Sequence, residues 1–368
     1  FTVADRWEKG AVPPPAQSST IVYHGAKAWG QRTSDGRYAL VYNPVGPRGD
    51  LRYPLAITTG DDGLLFDRDL LAVHGEVPPQ RYGGWYKVSG PQYVRGIAEG
   101  NGVPPDGALW LTYSVHKEDI WVARVPVPVR AEVTEPVNDT FETPGALVEG
   151  WNVYSPLWAP VAVVEEGGER FLRLRDKDPV DYAKAVRVFP ESRRVELSFR
   201  VRLTRKGQDD LEIDVVSRGG KRPVRLVFDA RGGRVLAADR GVMKPVAGLE
   251  EGRWLWFAID VDAVSGRYRL RVSGPAGDAQ GATVGKAPGA GAGEASGPAA
   301  SGGAVEFAGR FSEDCDTVER LELRTGPYRM ESMERLSASK GYLFDDMAGV
   351  DEPVEEAVFD IDDVRSRH

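Results

Sequence analysis

The chain has 368 residues with 43 glycines and 26 prolines, so about a fifth of it is turn-prone, and its formal charge is −8. That length suits two domains, each with its own core, and no apolar run approaches the roughly 18–20 residues of a membrane-spanning helix. A net acidic chain with both signs intermixed argues against a nucleic-acid partner, and the single cysteine, Cys315, excludes an intramolecular disulfide and a thiolate metal cluster. The sequence opens at Phe1 with no initiator Met and no signal-peptide pattern, which leads us to expect a processed protein or a fragment.

Helical periodicity is nearly absent. Short alternating runs recur about every ten residues between Gly, Pro, Asn and Asp, which predicts an all-β protein. Strands are expected at Thr20–Tyr23, Ala28–Arg32, Arg37–Tyr42 and Leu55–Thr59, then at Trp85–Val88, Tyr93–Ile97, Ala108–Ser114 and Ile120–Arg124. Four strands per 40–50 residues is the requirement of a propeller blade. The proline-rich stretch Val125–Val137 reads as extended chain, so residues 1–130 form one module, 131–138 a linker and 139–368 a second module. In the second module strands are expected at Phe171–Arg175, Ala185–Val188, Val195–Leu203, Leu211–Val216, Val224–Asp229, Trp254–Asp262 and Tyr268–Val272. Residues 273–303 are low-complexity Gly, Ala, Ser and Pro, with too few apolar side chains to offset ordering entropy. They are expected to form a disordered insertion between two strands, since strand-like sequence resumes at Val305–Phe307; an interdomain linker is the competing reading.

The sharpest local signal is Thr59-Gly60-Asp61-Asp62-Gly63-Leu64-Leu65-Phe66. It resembles the Asp box of sialidase-type β-propellers, in which Asp61 would accept backbone N–H groups of its own turn and Gly63 would supply positive φ. An ordinary Asp-Gly hairpin turn competes with that reading; Thr33-Ser34-Asp35-Gly36 is a weaker turn signal. More widely, AWGQRTSDGRYALVYNP, VHGEVPPQRYGGWYK, GPQYVRGIAEGNG and LWLTYSVHKEDIWVARVPVP resemble BNR-repeat, exo-α-sialidase-like proteins over residues 20–130. The resemblance implies a secreted protein, extracellular or periplasmic, with a sialidase-like β-propeller. Because 130 residues supply only two to three blades and a closed propeller needs about six, the chain is expected to be the C-terminal end of a longer protein, without some of its catalytic groups.

Arg outnumbers Lys by 10 to 4 in residues 1–130, and Arg binds planar carboxylates through paired hydrogen bonds. Arg32, Arg81 and Arg95 sit in the family-like segments and are the candidate binders of a sugar carboxylate; surface or inter-blade salt bridges compete. Tyr93, two residues from Arg95 on one strand, would share its face and serve as nucleophile or base beside a cation, unless it is a packed aromatic. His74 and Glu76 form a polar cluster with Gln80, Arg81 and Tyr82, and His is a proton shuttle near neutral pH; a loop His holding a carbonyl competes. His116 is a further substrate-binding candidate, or part of an exposed turn. His24, His74 and His116 as metal ligands lack the spacing of a site.

The second module resembles concanavalin-like and carbohydrate-module jelly rolls at its opening Asn138-Asp139-Thr140-Phe141-Glu142, at Gly150-Trp151, and at its closing Phe359-Asp360-Ile361-Asp362-Asp363-Val364. That resemblance implies adjacent first and last strands and a structural Ca²⁺ held by Asp139, Glu142 and Asp363; an acidic edge that deters strand pairing competes. Trp151, Tyr154, Trp158, Trp254 and Trp256 are candidates for stacking on sugars, with core packing the preferred reading for the last two. No catalytic cofactor is expected. The expected function is an exo-acting, sialidase-like glycoside hydrolase on an acidic glycan terminus. A uronate-directed lyase on the same fold and a non-catalytic glycan-binding protein are the alternatives. Convergence of Arg32, Arg81, Arg95 and Tyr93 on one pocket would favour an enzyme, and their scattering, with exposed Trp on the sandwich, a binder.

Overall fold

The computed structural model describes residues 27–44, 52, 54–63, 65–66, 71–74, 90–97, 106–130, 132–145, 148, 150–156, 158–179, 182–274, 304–326 and 353–368, and the backbone of two short paired strands, β1 (Thr2–Val3) and β2 (Gln17–Ser18). The chain divides into two compact units between residues 131 and 132.

In the first unit, β3 (Trp29–Arg32), β4 (Tyr38–Tyr42), β5 (Leu55–Gly60) and β6 (Leu71–His74) form a four-stranded antiparallel sheet in chain order. Strands β7 (Pro91–Gly96), β8 (Leu109–Val115) and β9 (Asp119–Val125) form a three-stranded one. Alternation drives both. Leu109, Leu111, Tyr113 and Val115 on one face of β8 join Ala39, Val41, Leu55, Ile57 and Val94 in a shared core. Gly96 permits this approach, since a Cβ there would collide with the Trp29 indole nitrogen. Among the described residues there is no closed propeller, and the strands expected at Thr20–Tyr23 and Trp85–Val88 lie outside them.

The second unit is a β-sandwich. Its strands are β10 (Asn138–Asp139), β11 (Trp151–Tyr154), β12 (Val161–Glu166), β13 (Glu169–Asp176), β14 (Lys184–Ser192), β15 (Arg194–Arg205), β16 (Leu211–Val216) and β17 (Val224–Asp229). They continue with β18 (Arg234–Asp239), β19 (Val242–Gly248), β20 (Trp254–Asp262), β21 (Arg267–Ser273), β22 (Val305–Arg310), β23 (Val318–Thr325) and β24 (Ala357–Arg367). One sheet runs β12-β13-β24-β15-β20-β21-β22, with β10 also on β24; the other runs β11-β14-β23-β16-β17-β18-β19. The first and last strands are therefore neighbours, with Asn138 opposite Arg365.

Odd-numbered residues of β15 and β20, from Val195 to Leu203 and from Leu255 to Val261, face the interior. Phe199 and Phe257 stack at 5.5 Å, and Phe228 of the opposite sheet meets Phe257 edge-on at 5.1 Å. Each fully buried ring contributes about 1.5–3 kcal/mol, which fixes register, because a one-residue slip would send these rings to solvent. Strands β21 and β22 pair directly, Val272 opposite Val305; residues 275–303 of the expected insertion lie outside the described residues.

Candidate functional site

Among the described residues, Arg32, Tyr93 and Arg95 do not converge on one pocket. Residues Gln92 and Arg95 pair with Ser114 and Thr112, so Tyr93 and Val94 together oppose one residue. This is a β-bulge, with Tyr93 at φ 59°. The expected shared neighbourhood of Tyr93 and Arg95 is thereby corrected. The exposed Tyr93 ring faces Arg52 at 5.0 Å, Lys27 at 5.4 Å and Lys117 at 5.8 Å, whereas Arg95 lies 5.5 Å over the Trp29 ring. A hydrogen bond from Arg52, followed by the charge of Lys117, holds the Tyr93 phenol below its usual range. Arg32 turns instead to the β3–β4 turn, where its Nε donates to the Gly36 carbonyl at 3.3 Å.

The two described histidines of the first unit are both buried and bonded within it. His74 is buried at the end of β6, its Nδ1 3.0 Å from the Tyr113 hydroxyl and its ring 4.5 Å from Trp121; burial pushes the Tyr113 phenol up. His116 is also buried. It accepts from the Gly90 amide through Nδ1 at 3.0 Å while its own amide donates to the Gly90 carbonyl at 3.1 Å. His24, Glu76 and Arg81 lie outside the described residues.

The aspartate turns divide the labour differently from expectation. Asp61 pairs with Arg37 at 2.8 Å, and it is Asp62 that accepts the Leu65 amide at 2.8 Å, with Gly63 at φ 74°. Asp35, in the weaker signal, accepts from Thr33 Oγ1 at 2.6 Å and from the Arg37 amide at 3.4 Å.

The proposed calcium ligands do not fit a cation. Asp139 is clamped by Arg187 at 2.7 and 3.2 Å and by the Trp151 indole N–H at 2.9 Å. Glu142 accepts from Thr140 at 2.9 Å and lies 3.9 Å from Arg170, and Asp363 is met by Arg200 at 3.4 Å and Arg365 at 3.2 Å. Asp139 and Asp363 are paired with guanidinium groups, Glu142 lies largely in solvent, and among the described residues no group of three or more His, Cys, Asp or Glu is placed to hold a metal.

Among the described residues, a dense arrangement of charge and aromatics lies on the outer face of the eight-stranded sheet. Because side chains alternate along a strand, Arg200 and Arg202 of β15, Trp254 and Trp256 of β20, and Asp360 and Asp362 of β24 all face outward. Register puts Arg200 between Asp362 and Trp256, and Arg202 between Asp360 and Trp254. Core packing for the two tryptophans is thus corrected: Leu255 and Phe257 take the inner face. The result is a ladder. Arg173 lies 5.2 Å over Phe171, Arg202 sits 4.9 Å from Phe171 and 4.8 Å from Trp254, and Arg200 sits 4.5 Å from Trp254 and 5.6 Å from Trp256. Carboxylates lock it. Asp360, fully buried, accepts from Arg173 Nε and Arg202 Nη2, each at 2.7 Å, and from Thr204; Asp362 accepts from Arg200. Trp256 ends the ladder with 38% of its surface exposed. Of the other aromatic candidates, Trp151 is buried in the core, and Tyr154 packs edge-on against Tyr182 at 5.4 Å.

Residues 151–281 match the family described as sialidase-like, CBM domain. The chain as a whole is similar to a solved sialidase, at 33% identity and a TM-score of 0.76, covering 97% of this chain and 29% of that one. It thus spans less than a third of that sialidase. Looser matches include lectin II from Ulex europaeus, at 9% identity and a TM-score of 0.35 over 64% of this chain and 99% of the lectin. A family 11 carbohydrate-binding module from Clostridium thermocellum matches at 12% identity and a TM-score of 0.27, over 63% of this chain and 93% of the module. No curated protein matches the chain. No helix among the described residues is long and apolar enough to cross a membrane.

Proposed function

We propose that the second unit is the carbohydrate-binding module of a sialidase-related protein and that it holds glycan on the outer face of its eight-stranded sheet. The observation that carries this reading is Trp256, an exposed indole at the open end of a braced cation–aromatic ladder, inside the segment that matches the sialidase-like CBM family. An indole with its polar surroundings fixed offers an apolar face for a sugar ring and hydrogen-bonding groups around it. The separation of Arg32, Tyr93 and Arg95 in the first unit supports binding over catalysis within this chain. Titrating the full chain with a glycan panel while following tryptophan fluorescence tests the reading. Saturable binding that Trp256→Ala weakens about tenfold or more is expected; binding untouched by that change, or none to any glycan, overturns it.

The first unit we read as blades of a sialidase-like propeller. Support comes from the four-stranded antiparallel sheet β3–β6, which has the size of a blade, and from the likeness to the solved sialidase, which runs through nearly the whole chain. A hydrolase on an acidic glycan terminus, extracellular or periplasmic, is the second reading for the parent protein, favoured by the cation-flanked phenol of Tyr93. A parent that releases sialic acid with one added water, and loses that activity in Tyr93→Phe, would support it; an unsaturated product would mean a lyase instead.

A further inference from the structure

The eight-stranded sheet differs from its partner in its cations. Its strands carry thirteen arginines and no lysine, whereas the seven-stranded sheet uses Lys184 and Lys244 among its cations. A solvated surface needing only charge has no reason to exclude lysine, but a surface that must grip planar oxyanions does, because only guanidinium presents two parallel donors.

The arginines are also arranged. Arg267, Arg269 and Arg271 are alternate residues of β21, all exposed on the outer face, while Tyr268, Leu270 and Val272 point into the core. Alternate residues on a strand recur about every 7 Å, so the three guanidinium stems form a stripe. Arg267 and Arg269 have no ion-pair partner among the described residues. Arg271 is held only loosely, 3.4 Å from Asp260 and 3.8 Å from Glu196, and all three of those side chains are more than a third exposed. Trp256 lies diagonally beside Arg271, since Ala258 opposes Arg271 and Trp256 opposes Ser273. These stripe arginines contrast with Arg200 and Arg202, whose guanidinium groups are fully engaged by Asp362 and Asp360. One set braces the sheet, and the other faces solvent, with Asp262 and Asp260 of β20 opposite Arg267 and Arg269 but at more than ion-pair distance.

From this we infer that the β21 stripe, with Trp256 at its end, binds an acidic polysaccharide whose repeating carboxylate or sulfate groups pair with Arg267, Arg269 and Arg271 while one sugar ring stacks on Trp256. The inference rests on the glycan-binding reading above and adds to it the chemical class of the ligand and the direction in which it lies.

Affinity electrophoresis of the full chain through gels containing polygalacturonate, chondroitin sulfate or neutral dextran tests it. Retardation by an acidic polymer, weakened as salt rises, is expected; the polymer that retards more strongly says whether carboxylate or sulfate is the preferred oxyanion. Replacing all three stripe arginines by glutamine should weaken that binding about tenfold or more, and the triple lysine variant should recover only part of the loss. Circular dichroism melts of both variants check that the sheet is intact. Retardation by dextran equal to that by the acidic polymers, lost in Trp256→Ala but unchanged in the triple glutamine variant, would overturn the inference and leave the glycan-binding reading standing. Retardation by none of the three would likewise overturn the inference, while the glycan-binding reading would fall only if the glycan panel also failed to bind.

Discussion

The two sheets of the sandwich each bury an aspartate against arginines, and they treat it differently. On the eight-stranded sheet, Asp360 is fully buried and meets two guanidinium groups at 2.7 Å, with a threonine hydroxyl as third donor. On the seven-stranded sheet, Asp214 is almost as deeply buried, yet Arg222 and Arg225 approach no closer than 3.5 Å, and among the described residues its Oδ1 accepts no hydrogen bond. Desolvation therefore dominates at Asp214 and pushes its carboxyl up to about 6, against the pull of the two arginines. Burial alone decides neither case. Short, directional donors at 2.7 Å turn a buried carboxylate into a brace, and donors at 3.5 Å leave a group that titrates within a mildly acidic range.

Removing the brace should have the largest effect. Asp360→Ala strands Arg173 and Arg202 without their shared acceptor, and loss of one partner from a buried charge network costs about 3–5 kcal/mol. Denaturant melts should show that loss, whereas a drop below about 1 kcal/mol would mean that the arginines find other partners. Next comes the weaker site. Because the folded-state value of Asp214 lies above its ordinary 3.8, its contribution favours folding below about pH 4 and is lost as pH rises through 6. The decline amounts to on the order of 3 kcal/mol. Asp214→Asn should flatten the stability profile across that window; an unchanged slope would assign it to another group.

Smaller still is the expected structural effect of Trp256→Ala, within about 0.5 kcal/mol because the side chain lies on the surface, while glycan affinity falls about tenfold or more. Stability and binding would thus separate at one residue. The least disruptive test concerns the first unit. One phenol should ionise below the others in an ultraviolet absorbance titration, disappear in Tyr93→Phe and move back up in Arg52→Ala, since Arg52 is the leading cause of its shift.

Much of the fold was legible because alternation is local. Leu211–Val216, Val224–Asp229 and Trp254–Asp262 are strands with the bounds their patterns predict. Strand β19 was not legible: Val242–Gly248 contains Pro245, exposes most of its residues and lies at a sheet edge, where alternation is not enforced. In the first unit the period-2 argument failed at Tyr93, where a bulge redirects the side chain, a feature that nothing in the neighbouring residues announces. The ladder was half visible. Arg200-x-Arg202, Trp254-x-Trp256 and Asp360-x-Asp362 each place two like residues on one face of a strand, but only the strand order makes β24, β15 and β20 neighbours, and chain separations that reach 162 residues, between Arg200 and Asp362, hide it. Asp363 misled for a related reason. Its acidic surroundings read as a cation site in sequence, while in space arginines from β15 and from its own strand surround it.

The central claim is that glycan lies against Trp256 on the eight-stranded sheet. Its most direct test is a nuclear magnetic resonance titration of the indole N–H signals of the full chain with an acidic oligosaccharide, the Trp256 signal being assigned by its disappearance in Trp256→Phe. The Trp256 signal should shift saturably while that of the buried Trp151 stays in place. A ligand that binds saturably and moves neither Trp256 nor Trp254 would contradict it.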